Sequence, residues 1–193
     1  MYEYIKGTIA EISATNVIVE AAGIGYFIHI SLNSYSVLNG KKEVKVFLHQ
    51  IVREDAHTLY GFATTSEREV FRSLISVNGV GASTAIMMLS SLTTDELKAA
   101  VTTENVNVLK AVKGIGAKTA QRIIIDLKDK LGKIPESGQI LSVADNTIQI
   151  ESLSALVMLG FAKKDAEKIV SKILQEQPEA NVESVIKQAL KRL

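Results

Sequence analysis

Two runs of this 193-residue sequence could do chemistry through their backbone: Val77-Asn78-Gly79-Val80-Gly81 and Val112-Lys113-Gly114-Ile115-Gly116. Each reads apolar-x-Gly-apolar-Gly, and each leads into a stretch with helical periodicity. Glycine takes positive φ without steric penalty and lets another backbone come close, so each run suits a tight turn. The helix that follows offers unpaired N–H groups and the positive end of its dipole, which together hold an anion. The anion expected here is a DNA phosphate. Binding through Gly79, Val80 and Gly81, and through Gly114, Ile115 and Gly116, would read backbone geometry rather than base sequence. Lys118 and Arg122 lie one face further into the second helix and add charge. The first copy has Ser83 where the second has Lys118, and should grip more weakly. A single such run would equally be a plain helix-to-helix turn, because glycine is common at helix C-termini. Two copies argue for more: residues 74–89 laid over 109–124 agree at seven of sixteen positions at a constant offset of 35. Unrelated segments share roughly one or two, so one supersecondary unit has been duplicated.

Other chemistries find little support. Gly114-Ile115-Gly116-Ala117-Lys118-Thr119 looks like the end of a P-loop, but Gly-Lys-Thr is not contiguous and no strand precedes it. There are no cysteines, which excludes disulfides, thiolate metal sites and cysteine nucleophiles and suits a cytoplasmic location. His29, His49 and His57 lack metal-ligand spacing. Asp126 and Asp129 read as charges on a helix face, and no catalytic residue, metal or cofactor is expected. Arg53-Glu54-Asp55-Ala56 places two carboxylates at a hairpin tip. Such tips are usually just solvated, yet beside DNA this one would repel the ligand.

The elements that must position these residues follow from periodicity. Up to residue 62, five short runs alternate with period two (2–9, 17–20, 26–30, 44–49 and 59–62), with turns at Gly23-Ile24-Gly25 and Leu38-Asn39-Gly40-Lys41. Five short strands in this length suit an OB-like barrel. A hydroxyl residue at Thr65 or Ser66 starts helical periodicity that continues to about 131. Residues 132–146 carry proline, glycine and serine without a period and read as a linker. Three amphipathic stretches, 151–159, 164–175 and 182–193, then form a helical bundle. The fold class is therefore α+β and multidomain: a barrel at 1–64, a tandem helix-hairpin-helix domain at 65–133, a linker at 134–147 and a three-helix bundle at 148–193.

Net charge is +1, so bulk charge does not advertise a nucleic-acid binder, and that role rests on local features. Residues 66–133 hold ten Lys or Arg against seven Asp or Glu, whereas residues 136–193 hold seven against eight. The bundle is thus the poorer DNA surface. Its Leu156, Leu159, Phe161, Ile169, Ile173, Ile186 and Leu190 mostly have core spacing, but three short helices leave apolar surface over for a partner protein. The N-terminal alternation is not that of a signal peptide, and no segment has the length of a membrane span.

Taken together, Gly23-Ile24-Gly25-Tyr26, Val52-Arg53-Glu54-Asp55-Ala56, Leu59-Tyr60-Gly61-Phe62, the two glycine repeats and Leu156-Val157-Met158-Leu159-Gly160-Phe161 resemble the RuvA family over essentially the whole chain. These are the Holliday-junction-binding subunits of the bacterial branch-migration machine. The resemblance implies a homotetramer, one or two per junction, on which the open four-way DNA junction lies. It implies that Glu54 and Asp55 are an acidic pin and that both glycine hairpins, Lys118 and Arg122 hold phosphates. It further implies that Leu156, Leu159, Phe161, Ile186 and Leu190 of a mobile C-terminal domain meet the AAA+ motor RuvB, with the RuvC resolvase as a further partner. Two other readings use the same hairpins: a repair glycosylase or nuclease, which would need a catalytic Lys or Asp or a metal set, and an architectural DNA binder without a motor.

Overall fold

The computed structural model describes residues 2–131, 144–177 and 180–192. The chain divides into two compact units, Met1–Gln139 and Ile140–Leu193.

In the first unit β1 (Tyr4–Ile12), β2 (Asn16–Ala21), β3 (Ile24–Ile30), β4 (Glu43–Val52) and β5 (His57–Phe62) close a barrel in the order β1-β2-β3-β5-β4. Every neighbouring pair is antiparallel except β3 with β5. Alternation puts Val17, Val19, Ile28, Ile30, Val46 and Leu48 inside. The Gly61 of β5 is dictated by this filling, since a Cβ there would lie 2.5 Å from Ile28 and 2.7 Å from Val46. The turn expected at Gly23-Ile24-Gly25 falls earlier. Ala22 and Gly23 take positive φ, 52° and 78°, the pattern whose twist matches a two-residue hairpin. Ile24 and Gly25 are already in β3, opposite Ala21 and Glu20.

A helix that the periodicity does not announce, α1 (Leu32–Leu38), links β3 to β4. It ties the barrel to the helices beyond. Ser31 caps α1 by accepting from the Ser34 amide. Leu32 N–H donates to Ser90 Oγ at 3.0 Å, and Asn33 Nδ2 donates to the carbonyls of Leu89 and Leu92 at 2.7 and 3.0 Å. The two bonds from Asn33 satisfy carbonyls at the C-terminal end of α3 (Ala82–Ser91).

The helical part continues with α2 (Thr65–Ile75), α3, α4 (Thr94–Thr102), α5 (Val106–Lys110) and α6 (Ala117–Leu131). One apolar cluster holds them together and includes Phe62, Phe71, Leu74, Leu89, Leu109, Ile123 and Leu127. α2 starts one residue earlier than expected, because Thr64 is its cap and accepts from the Glu67 amide. Glu67 then turns inward. Its carboxylate accepts from the hydroxyls of Ser31 and Ser34, the latter at 2.6 Å, while Ser34 Oγ accepts from the Ala63 amide at 2.8 Å. Buried Arg68 makes a second tie, an ion pair with Glu3 and a 2.9 Å bond to its carbonyl.

The second unit contains α7 (Ala144–Met158), α8 (Lys163–Glu176) and α9 (Val182–Leu190) around Leu156, Ala166, Val170, Ile173, Val185 and Ala189. α7 begins inside the stretch read as linker. The remaining linker residues 134–143 lie outside the described residues.

Burial raises the Glu67 pKa, opposed by the donors from Ser31, Ser34 and Ala63. The folded state therefore holds a proton that the unfolded chain releases. The stability contributed by this group is full at low pH and falls as pH rises from the ordinary glutamate value of about 4.3 through the raised folded value. Glu67→Gln should flatten that fall in urea unfolding across a pH series. Glu67→Ala, which leaves two buried hydroxyls without acceptors, should cost about 2–4 kcal/mol. A Gln variant with the wild-type pH profile would refute the assignment.

Candidate nucleic-acid interface

The two glycine runs fold into the same turn. Val80 N–H donates to the Val77 carbonyl at 3.0 Å and Ile115 N–H to the Val112 carbonyl at 3.1 Å. Gly79 and Gly114 stand at φ 92° and 91°, a backbone that an L side chain adopts only under strain. The second glycine of each run has a different reason. Gly81 has φ −85°, neither Gly81 nor Gly116 takes positive φ, and a Cβ on either would meet nothing within 4 Å. Neither turn geometry nor packing in this chain requires glycine there. What its absence of a side chain does is leave the adjoining helix amides open.

Those amides are uncapped. α2, α4 and α5 each begin with a side-chain acceptor, from Thr64, Thr93 and Asn105, whereas Gly81 ahead of α3 supplies none. The first amide to bond back in α3 is that of Ala85, to Gly81, and in α6 that of Ala120, to Gly116. The N–H groups of Ala82 and Ser83, and of Ala117 and Lys118, precede those bonds and face the helix end. Val80 and Ile115, expected among the phosphate binders, serve otherwise. Their side chains are buried with Val77 and Val112, and their amides are used inside the turns.

The charges are placed less symmetrically than the backbone. Lys118 is exposed on the first turn of α6 and Ser83 is exposed on the first turn of α3. Arg122, one turn beyond Lys118 on α6, reaches across to the first hairpin: its Nη1 donates to the Asn78 carbonyl at 3.1 Å. Lys130 Nζ lies 3.5 Å from Ser76 Oγ, at the entry to the same hairpin. Exposed Lys113 sits in the second hairpin where the first has Asn78. Sequence reading passed over Lys113, although the 35-residue offset singles out that position; no local pattern pairs Lys130 with Ser76.

Glu54 and Asp55 are exposed between β4 and β5, in a turn closed by Arg53 N–H donating to the Ala56 carbonyl at 2.8 Å. Two of the three histidines pack against neighbours, and His57 is exposed at the start of β5. His49 accepts from Arg72 Nε at 3.4 Å, and its pKa is lowered by burial and then by the Arg72 and Arg68 charges. His29 packs between Phe27 and Tyr60. Among the described residues no group of three or more His, Cys, Asp or Glu could hold a metal ion, and no helix is long and apolar enough to cross a membrane.

In the second unit the expected partner-facing residues separate. Leu156 is fully buried and belongs to the core, and Phe161 and Ile186 are part-buried against it. Leu159 and Leu190 are exposed, at 60% and 45%, and Val157 and Met158 next to Leu159 are exposed too.

Comparison with known proteins adds the following. Residues 1–61 match the family model for the RuvA N-terminal domain, residues 71–129 the SAM-like helix-hairpin-helix tandem, and residues 149–193 the RuvA C-terminal domain. The chain is 52% identical over 193 residues to a protein of Christiangramia forsetii and 49% identical over 201 residues to one of Bacteroides thetaiotaomicron, and both matches cover the full length of either chain. A protein of Porphyromonas gingivalis is 49% identical over 202 residues, again at full length. All three carry the name Holliday junction branch migration complex subunit RuvA.

The two kinds of glycine should separate by substitution. Gly79→Ala and Gly114→Ala should each cost about 1–2 kcal/mol of unfolding free energy through backbone strain. Gly81→Ala and Gly116→Ala should stay within about 0.5 kcal/mol of wild type. Denaturant unfolding of the four variants checks this, and equal losses at all four would remove the distinction.

Proposed function

Because the chain belongs to the RuvA family of Holliday junction branch migration complex subunits, we propose that it binds four-way DNA junctions by shape and holds them for a RuvB motor. It catalyses nothing itself; the ATP chemistry is the motor's. The observation that carries this reading is the pair of matching hairpins, each ending in a glycine whose missing side chain leaves the start of the next helix open, with no side-chain cap bond from Gly81 to α3. Amides at a helix start hold an anion without reading a base, so the grip follows the path of the phosphates. Lys113, Lys118 and Arg122 add the charge. A homotetramer, one or two per junction, would repeat these contacts about the centre, with the RuvC resolvase joining on chromosomal DNA in the cytoplasm.

Glu54 and Asp55 act in the opposite sense. Carboxylates on an exposed tip repel phosphates over about a Debye length, about 8 Å at physiological ionic strength. They guard the centre, where arms must part. They also disfavour a continuous duplex lying across it.

A gel-shift comparison of a four-way junction with linear duplex of equal length tests this. The junction should win, and its affinity should fall steeply with salt, by about 0.9 in log–log slope for each neutralised phosphate. The double variant Glu54→Gln with Asp55→Asn should keep junction binding and gain duplex binding. Equal affinity of the wild-type chain for both DNAs would sink the reading, and unchanged discrimination in the double variant would make the tip merely structural.

The C-terminal bundle is the motor contact, with Leu159 and Leu190 among its exposed apolar residues, together with Ile150, Val157 and Met158. Leu159→Asp and Leu190→Asp should leave junction affinity intact and abolish stimulation of RuvB-driven migration. Loss of junction binding in these variants would point to a different division of labour.

A further inference from the structure

We propose that the first hairpin takes its cations from the second repeat, through Arg122 and Lys130 of α6. At each of the four positions where the second repeat carries charge, the first carries none, Ile75 standing for Lys110. Asn78 stands for Lys113, Ser83 for Lys118 and Met87 for Arg122, each 35 residues earlier. Judged within its own repeat, the first hairpin would meet a phosphate with amides and a hydroxyl only.

The fold supplies the deficit from elsewhere. Arg122 Nη1 donates to the Asn78 carbonyl at 3.1 Å, directly beside Gly79. Two turns further along α6, Lys130 Nζ stands 3.5 Å from Ser76 Oγ, where α2 ends. A guanidinium has five N–H donors, and one bond to a carbonyl leaves others free with the charge intact. Arg122 thus braces the turn and presents a cation at its rim. Asp126, between the two on α6, is exposed and leaves the stripe net positive. Lys118, on the first turn of α6, stays with the second hairpin, so each hairpin has its own cation. Both of these come from one helix, which locks the spacing of the two phosphate grips to the rigid length of α6.

The inference rests on the junction-binding reading, and a double-mutant cycle keeps the two apart. Gly81→Val and Gly116→Val block the amides of the first and second hairpin respectively, and no neighbour in this chain is close enough to clash. Junction affinity is measured for both, for Arg122→Gln, Arg122→Lys and Lys130→Gln, and for Arg122→Gln combined with each glycine variant, over a range of salt.

Arg122→Gln alone should lose about tenfold, the worth of one charge-assisted hydrogen bond, and lower the salt slope by about 0.9 for each phosphate it no longer neutralises. Arg122→Lys should recover most of this, and Lys130→Gln should show a smaller loss with the same salt signature. In the Gly81→Val background Arg122→Gln should add less than about twofold, because both act on one phosphate; in the Gly116→Val background the full loss should multiply. Coupling of Arg122 to Gly116 instead overturns the proposal. So does an Arg122→Lys variant as weak as Arg122→Gln with an unchanged salt slope, which would make Arg122 a brace alone. If neither glycine variant changes junction affinity, the hairpins are not the grip and the underlying reading fails with it.

Discussion

The placement of the DNA-facing elements depends on one buried carboxylate. Glu67 sits in the first turn of α2 and accepts from Ser31 and Ser34, at the start of α1, while Ser34 also accepts from Ala63 at the end of the barrel. Two segments distant in sequence are thereby fixed at one point: the exit of β3 into α1, and the passage from β5 into α2. A buried carboxylate is costly unless its oxygens are satisfied, and this one is held by hydroxyls that also meet backbone donors. The constraint spreads in two directions. α2 carries it to the first hairpin, and α1 carries it through Asn33 to the end of α3. The first hairpin therefore has both of its helices referred to the barrel, whose β4–β5 turn bears Glu54 and Asp55.

Attraction and repulsion can work on one ligand only if their sources keep their distance. If the barrel moved freely against the hairpins, the acidic tip would settle away from phosphate and its effect would vanish. The ties at Glu67 and Arg68 prevent that within the first unit. No comparable tie is needed for a docking module, and the bundle forms a separate compact unit with its own core. Charge follows the same division: Lys and Arg outnumber Asp and Glu in residues 66–133 but not in 136–193.

What sequence revealed and what it hid divide by the range of the interactions involved. The duplicated turn was legible because Gly79 and Gly114 answer a local demand of the backbone, and local demands leave a local pattern. The barrel was legible for the same reason, since alternation is imposed residue by residue. α1 was missed because seven residues with Leu32 and Val37 exposed show no apolar stripe. The start of α7 was missed because its apolar residues are spread around the helix rather than on one face. The inward turn of Glu67 left no mark in the sequence, for its partners lie 33 and 36 residues away. Val80 and Ile115 were read as phosphate binders from the motif alone, although an apolar residue between two glycines is there to enter the core. The reach of Arg122 to Asn78 was not legible, because that bond spans 44 residues.

A protein that holds a junction while its branch point moves faces a requirement that the hairpins meet physically. At each step base pairs are exchanged, so any contact with a base edge would change identity as the DNA advanced and would pin the junction at favourable sequences. Phosphates recur unchanged from step to step. A grip made of helix amides and a few cations is indifferent to the sequence passing through it. It must also be released often, which favours several modest contacts over one strong one, since net hydrogen bonds of about 1 kcal/mol exchange readily with water. Open glycines at Gly81 and Gly116, with nothing within 4 Å of a Cβ, would suit both demands: they leave room for a backbone and add no side chain that could read a base. The same logic accounts for a first hairpin whose own helix is uncharged. On the proposal above, its amides would stay free for the moving phosphate, while the cation that draws it in would stand on α6, packed in the same core.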